Sequence, residues 1–271
     1  RFFAYQHVLI HKDSHEYKGF FKKEYNILNY ITKWWIGPLY GIVPNNYHIG
    51  HIKLHHRFTN QIKDPHTNID LDRTKLFSFF IFIPRFMLFW SNISPIIYFI
   101  KHKEYKFVIK LLIGMIYYYG LISIFMYFNW KLTLGYIVYP HIEDMVFLGG
   151  ISYLWHCFVD PDDSKNEYIN SITIVNGNDN IWGEDYHVVH HKEPLTHWTE
   201  YETSYLKNIN KYKINTATIF KNTEEGVLLW WILTKNWDEL ADHFVDINNK
   251  MSHEDKKKLI LKRLQPVKKY I

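Results

Sequence analysis

Imidazole nitrogen suits iron, copper, zinc and nickel, and this sequence gathers imidazoles in three ordered clusters. They are His11-Lys-Asp-Ser-His15, His51-Ile-Lys-Leu-His55-His56 and His187-Val-Val-His190-His191. Residues three or four apart share one helix face. His11 therefore pairs with His15, His51 with His55, and His187 with His190 or His191. Adjacent helical residues point about 100° apart, so a His-His doublet can serve two neighbouring ions, and the second and third clusters each contain one. Eight imidazoles in this pattern predict a two-metal centre. With 17 histidines in the chain, one cluster could arise by chance; three in order, each beside an apolar segment, are a stronger signal. Lys12 stands where a His-Glu-x-x-His peptidase carries its general base, which disfavours that chemistry.

The clusters resemble the three histidine boxes of the membrane fatty-acid desaturase and hydroxylase superfamily, whose members hold a non-haem di-iron centre. The resemblance runs from about His7 to Trp198. The first box, followed by Glu16, is similar to that of lipid desaturases, and the third matches the family's His-x-x-His-His. The second departs by one residue, a spacing that resembles membrane alkane hydroxylases, so desaturation and hydroxylation both stay open. The resemblance implies a ninth ligand, His156, at the end of an apolar helix. The expected metal ligands are thus His11, His15, His51, His55, His56, His156, His187, His190 and His191. His7, one turn before His11, could substitute in the first pair, while His48, three residues before His51, is expected to support box two rather than bind metal. His66, His141 and His197 fall outside the spacings and are expected to be structural or superficial. Metal-bound imidazoles need their second nitrogen held; Asp64, Asp70 and Asp72 after box two, and Glu184 and Asp185 before box three, are the expected orienters. The Asp160-Pro-Asp-Asp stretch lacks the glycine and terminal glutamate of a calcium loop and reads as a turn.

The boxes need elements that bring them to one face. A mean hydropathy of −0.25 is polar for a polytopic chain, yet the apolar residues are concentrated. Segments 111–128 and 132–155 approach the roughly 20 residues of a spanning helix. Segment 76–100 is interrupted by Pro84-Arg85 and Ser94-Pro95. Boxes on one side require an even number of crossings between them. The expectation is therefore an antiparallel pair, 107–128 and 132–155, reversing at 129–131. Segment 76–100 is then bent near Pro84 or Pro95 and lies along the membrane face; pairing 76–100 with 107–128 is the alternative. Trp34-Trp35 suits an interfacial or re-entrant element. The fold class expected is an all-α membrane protein with a histidine-rich di-iron cap facing the cytosol. Its membrane domain is 1–198, and 199–271 forms a small helical cap. The chain opens at Arg1 close to box one, and the resemblance leads us to expect further membrane helices before it.

Breaking an unactivated C–H bond calls for an oxidant made at a metal. The resemblance implies that a second hydrogen abstraction gives an alkene and hydroxyl rebound an alcohol. It also implies a long acyl substrate, as acyl-CoA or intact lipid, and an endoplasmic reticulum setting. Neither a flavin fingerprint nor a haem attachment motif is present, so electrons must come from outside. The resemblance implies cytochrome b5 or a ferredoxin, and a eukaryotic-looking composition favours the former. Cys157 alone excludes an internal disulfide. The excess of five basic charges lies largely between Lys256 and Lys269, attractive to anionic lipid or simply solvated. No nucleic-acid motif stands out. A membrane zinc carrier is the competing non-enzymatic reading, weakened because only His141, Glu143 and Asp144 lie within the apolar segments.

Overall fold

A phenylalanine- and isoleucine-rich stretch with no stop signal forms helix until something satisfies its freed carbonyls, and this chain supplies those stops with asparagine. The computed structural model describes residues 2–16 and 18–267; Lys268 and Lys269 of the basic tail lie outside them. The protein is mostly helical. By its internal contacts it divides into two units, residues 1–57 with 83–149 and residues 58–82 with 150–271. Helices α2 (Leu76–Trp90) and α5 (Tyr139–Trp155) each contribute residues to both units.

In the first unit, α1 (Phe2–His15) carries box one, and a π-helix, Asn46–His55, carries box two. Helix α2 ends at Trp90 and α3 (Ile93–Lys101) leaves it at 71°. The bend is at Ser91-Asn92, with Asn92 in the left-handed region at φ 68°. Pro84 stays inside α2, and Pro95 sits in the first turn of α3, where a missing N–H costs no helical bond. Asn46 holds the break: its Nδ2 donates to the Phe89 carbonyl at 2.9 Å, the Trp90 carbonyl at 3.2 Å and Asn92 Oδ1 at 2.8 Å.

Helix α4 (Tyr105–Thr133) contains one non-helical residue, Asn129, at φ −155° and ψ 89°. The Tyr119 hydroxyl lies 3.4 Å from His141 Nε2, 22 residues on. At 1.5 Å per residue an unbroken helix would hold them about 33 Å apart, so the chain reverses at Asn129. There Asn129 Oδ1 accepts from the Leu132 N–H at 3.1 Å and starts the returning helix. Residues Tyr105–Trp155 form the run long and apolar enough to cross a membrane. Box two is seated against α4: Asn45 Nδ2 donates to the Lys110 carbonyl at 2.6 Å. Gly114 faces the Pro44 carbonyl so closely that a Cβ could not be accommodated.

The second unit is not all-helical. Strands β1 (Thr173–Val175) and β2 (Ile219–Lys221) pair in parallel, with Ile174 opposite Phe220. Both lie in the core, Ile219 and Phe220 fully enclosed. Around them are α6 (His187–Lys192), α7 (Tyr201–Lys207), α8 (Ile209–Ile214), α9 (Glu225–Thr234), α10 (Trp237–His243) and α11 (His253–Arg263). The segment after residue 198 is thus built into the unit that carries box three. Arg73, 1% exposed, donates to the carbonyls of Asn68, Ile69, Leu71 and Arg263 at 2.9–3.1 Å, tying the loop before α2 to the end of α11. Lys257 and Lys262 of the basic stretch pair with Asp238 and Asp162, each at 2.6 Å.

Candidate metal centre

Box one reaches its place because α1 stays helical through His15, setting His11 and His15 one turn apart with rings 5.2 Å between centroids. Box two sits on a π-helix, whose hydrogen bonds run i to i+5. The His56 N–H accordingly donates to the His51 carbonyl. This moves the partner of His51 from His55, expected on α-helical spacing, to His56. The Nε2 atoms of His51 and His56 lie 2.9 Å apart, and those of His11 and His51 2.8 Å apart. In this unit one ring nitrogen from each of His11, His15, His51 and His56 falls within 4.8 Å of all the others. His55 is buried beside them, its ring 5.2 Å from that of His51, but outside the four.

Burial and the surrounding imidazoles hold His51 well below the ordinary histidine range, so it presents the neutral form a metal requires. A metal about 2.1 Å from each of two imidazoles places neighbouring donors roughly 3.0–3.4 Å apart, close to the separations seen here. Tyr47 stacks on His11, ring centroids 5.4 Å apart. His7 is turned elsewhere: its Nε2 lies 3.1 Å from both Asp144 Oδ1 and the Tyr40 carbonyl, and burial pushes its pKa down to about 3. His48 Nε2 stands 4.0 Å from Asp13 Oδ2, which accepts from the Thr32 hydroxyl at 2.7 Å. Burial, with Lys33 nearby, takes His48 to about 3. His141 donates from Nδ1 to the Gly41 carbonyl at 2.6 Å.

In the second unit the third box is an ordinary α-helix, and His187 meets His191 at i+4 with Nε2 atoms 3.1 Å apart. His156, at the end of α5, brings its Nε2 to 3.3 Å from that of His187. Nitrogens of these three lie within 4.8 Å of one another. His156 donates from Nδ1 to the Asn170 carbonyl at 2.8 Å, which leaves Nε2 for a metal. Its own carbonyl accepts from Asn60 Nδ2 at 2.7 Å. His190 diverges from His191, its Nδ1 lying 3.3 Å from the Tyr201 hydroxyl.

The expected acidic orienters fall into different places. Asp64 Oδ1 is 3.1 Å from His66 Nδ1, and Asp64 Oδ2 accepts from the Asn60 N–H. Asp72 accepts from the Thr74 hydroxyl at 2.6 Å and pairs with Lys75 at 3.0 Å, in the turn just before α2. Asp70 is half-buried, its charge acting on Arg73. Glu184 and Asp185 are both 3% exposed, on the turn that leads into box three. Gly183, at φ +79°, makes that turn possible; a Cβ there would meet the Tyr201 ring. Burial, with Glu224, Glu184 and Asp179 around it, pushes Asp185 up to about 7.

Two supporting groups carry no motif. The Trp155 indole stacks on the His187 ring, centroids 4.1 Å apart and planes at 21°, and its N–H donates to Glu225 Oε1 at 2.6 Å. Burial, with Asp185 nearby and against the Trp155 bond, pushes Glu225 up to about 8. Only the aromatic immediately before His156 hinted at this in sequence. His197 is exposed and bonded to Thr199. The Asp160 stretch is the turn expected, with Asp160 Oδ1 accepting from the Asp162 N–H.

Nitrogen-rich donor sets in both units suit a mid-row transition metal, and a comparison with protein families decides the rest. The family model described as "Fatty acid desaturase" matches residues 1–214. The chain belongs to the fatty acid desaturase family. Membership makes it an oxidoreductase of lipid metabolism, acting on a lipid or acyl substrate at a histidine-rich site, with two irons compatible with the clusters. Fatty acid desaturases are generally membrane-bound, and among the described residues Tyr105–Trp155 is a stretch long and apolar enough for that. No curated protein and no solved structure matched the chain.

Proposed function

We propose that this fatty acid desaturase carries out O2-dependent desaturation of a long acyl chain at two histidine-held irons, in the endoplasmic reticulum membrane with the histidine face toward the cytosol. The observation that carries this reading is the pair of donor sets in a chain of this family: His11, His15, His51 and His56 in one unit, His156, His187 and His191 in the other. His55 and His190, the other members of the two doublets, complete the ligand set. Two bound irons would supply the electrons and oxidising power that an unactivated C–H bond demands.

The protein's own residues do the positioning. Asn170 fixes the tautomer of His156, Tyr201 meets the second nitrogen of His190, and Trp155 fixes the plane of His187. Electrons come from cytochrome b5 or a ferredoxin-type donor. Helices α4 and α5 form the spanning hairpin, with α2 and α3, bent at 71°, along the membrane face. The box-two spacing favours a second reading, hydroxylation at the same centre, because it resembles alkane hydroxylases.

One experiment separates the readings. The full-length protein is purified for metal analysis and expressed in cells whose lipids are profiled. Two irons per chain with new double bonds support desaturation. New hydroxyl groups transfer the conclusion to hydroxylation. One zinc without lipid change refutes both.

A further inference from the structure

Helix α9, Glu225–Thr234, lies beyond the 214 residues matched by the family and takes no part in holding a metal. Its sequence between Glu225 and Lys235 carries no charge. Leu228 and Ile232, one turn apart, are buried. On another stripe Val227 is 39% and Trp230 63% exposed, three residues apart and so neighbours on the helix surface. A ten-residue helix that keeps an apolar stripe in water needs something to cover it.

The packing of α9 within its own unit says what that is. Glu225 is bonded to Trp155, at the end of α5. Leu229, one turn on, lies beside Gly150: a Cβ there would be 3.2 Å from Leu229 Cδ2. Advancing along α9 therefore means going backward along α5, from the histidine end into its apolar part. Five residues of α5 correspond to about 7.5 Å, so Trp230 lies roughly that far below Trp155. The start of α2 sits against the same stretch, Phe79 packing on Tyr153 with centroids 5.5 Å apart. Leu76, Phe77 and Phe80 of α2 are also exposed, Phe77 by 72%. The outward stripe of α9 is thus one side of an apolar collar around the end of α5.

We propose that α9 is a membrane-interface wedge whose Val227–Trp230 stripe lies in the headgroup–acyl boundary of the bilayer. This rests on the reading of α4 and α5 as membrane-spanning. With the histidine end of α5 at the membrane surface, as that reading has it, Trp230 would lie about 7.5 Å down, within the 5–10 Å to which interfacial helices bury their apolar faces. Tryptophan favours that level because it joins an apolar ring to a polar N–H. Lys235 follows at φ 61° and ends the helix.

The test uses Val227→Cys, Trp230→Cys, Ile116→Cys and Lys258→Cys, each labelled with a thiol-reactive NBD dye in the full chain. Cys157 is fully buried, and unmutated protein gives its labelling background. The labelled proteins are reconstituted in phosphatidylcholine vesicles with and without brominated acyl chains. The expected result is blue-shifted emission and bromolipid quenching at 116, 227 and 230, with water-like emission and iodide quenching at 258. Quenching by iodide but not bromolipid at 227 and 230, with 116 in lipid, overturns the wedge and leaves the spanning hairpin standing. Labels at 227 and 230 shielded from both quenchers also overturn it, in favour of a protein covering. Position 116 in water overturns the spanning reading and the wedge with it.

Discussion

Replacing Glu225 by Gln separates the charge of this side chain from its hydrogen bond. Gln keeps an Oε1 acceptor for the Trp155 indole, so the stack of Trp155 on His187 is retained. What disappears is a carboxyl raised from an ordinary 4.5 to about 8 by burial, with Asp185 nearby and against the Trp155 bond. Below about pH 4.5 it is protonated in both folded and unfolded chains and has no effect. Between 4.5 and 8 unfolding releases its proton, so the folded state loses stability as pH rises, and above 8 the loss is complete. At about 1.4 kcal/mol per tenfold change in proton affinity, the upper limit is about 5 kcal/mol. Glu225 is only half-buried by surface exposure, and solvent screening brings the expectation to about 2 kcal/mol. For a chain of this size that corresponds to roughly 4–8 °C in Tm. Thermal unfolding of iron-depleted protein is followed by fluorescence from pH 5 to 9, so metal binding adds no pH dependence of its own. Glu225→Gln and the parent should lie close together at pH 5, separate progressively up to about pH 8 and keep a constant gap above it, with the variant more stable. Parallel curves across the whole range refute the reasoning, as does a variant less stable at pH 5.

Substitution of either doublet member of box three, His190→Ala or His191→Ala, should abolish lipid oxidation in the expression assay while the chain stays folded, whereas His197→Ala should leave most activity. His156→Ala should lower iron stoichiometry by one per chain, read by elemental analysis. Tyr201→Phe removes the hydroxyl 3.3 Å from His190 Nδ1 and should weaken iron retention about 10–100-fold against a chelator. Asn46→Ala removes the side-chain donor to the Trp90 carbonyl and Asn92 Oδ1 at the α2–α3 break, while the Phe89 carbonyl keeps the Asn92 N–H, and should cost about 2 kcal/mol in a denaturant titration, since each buried group left unsatisfied carries a desolvation penalty.

The reversal between α4 and α5 is legible in sequence because Asn129 and Lys131 interrupt a long apolar run and asparagine starts helices readily. The break between α2 and α3 is displaced from both prolines. Its cause is Asn46, 46 residues from Asn92 and so outside any local pattern. Strands β1 and β2 escape for the same reason. Each is three residues long, and they are paired across more than forty positions. At the candidate site, the histidine identities follow from motif spacing, but the partner of His51 does not, because spacing assumes an α-helix. Trp155, Tyr201 and Asn170 reach their imidazoles only through tertiary packing. Asp72 is drawn away from any such role by its proximity to the start of α2.

The change of helix type at box two has a consequence for how such motifs tolerate insertions. In box three the first and last histidines are four residues apart on an α-helix. In box two they are five apart on a π-helix, and they still meet. The widened turn absorbs the additional residue as a slack loop of rope takes up length without moving either anchored end. Box two can therefore differ by one letter from box three and present the same pair of nitrogens. Deleting one residue between His51 and His55 while restoring α-helical winding would be a near-silent edit at this position, whereas the same deletion in box three would turn its ligands apart.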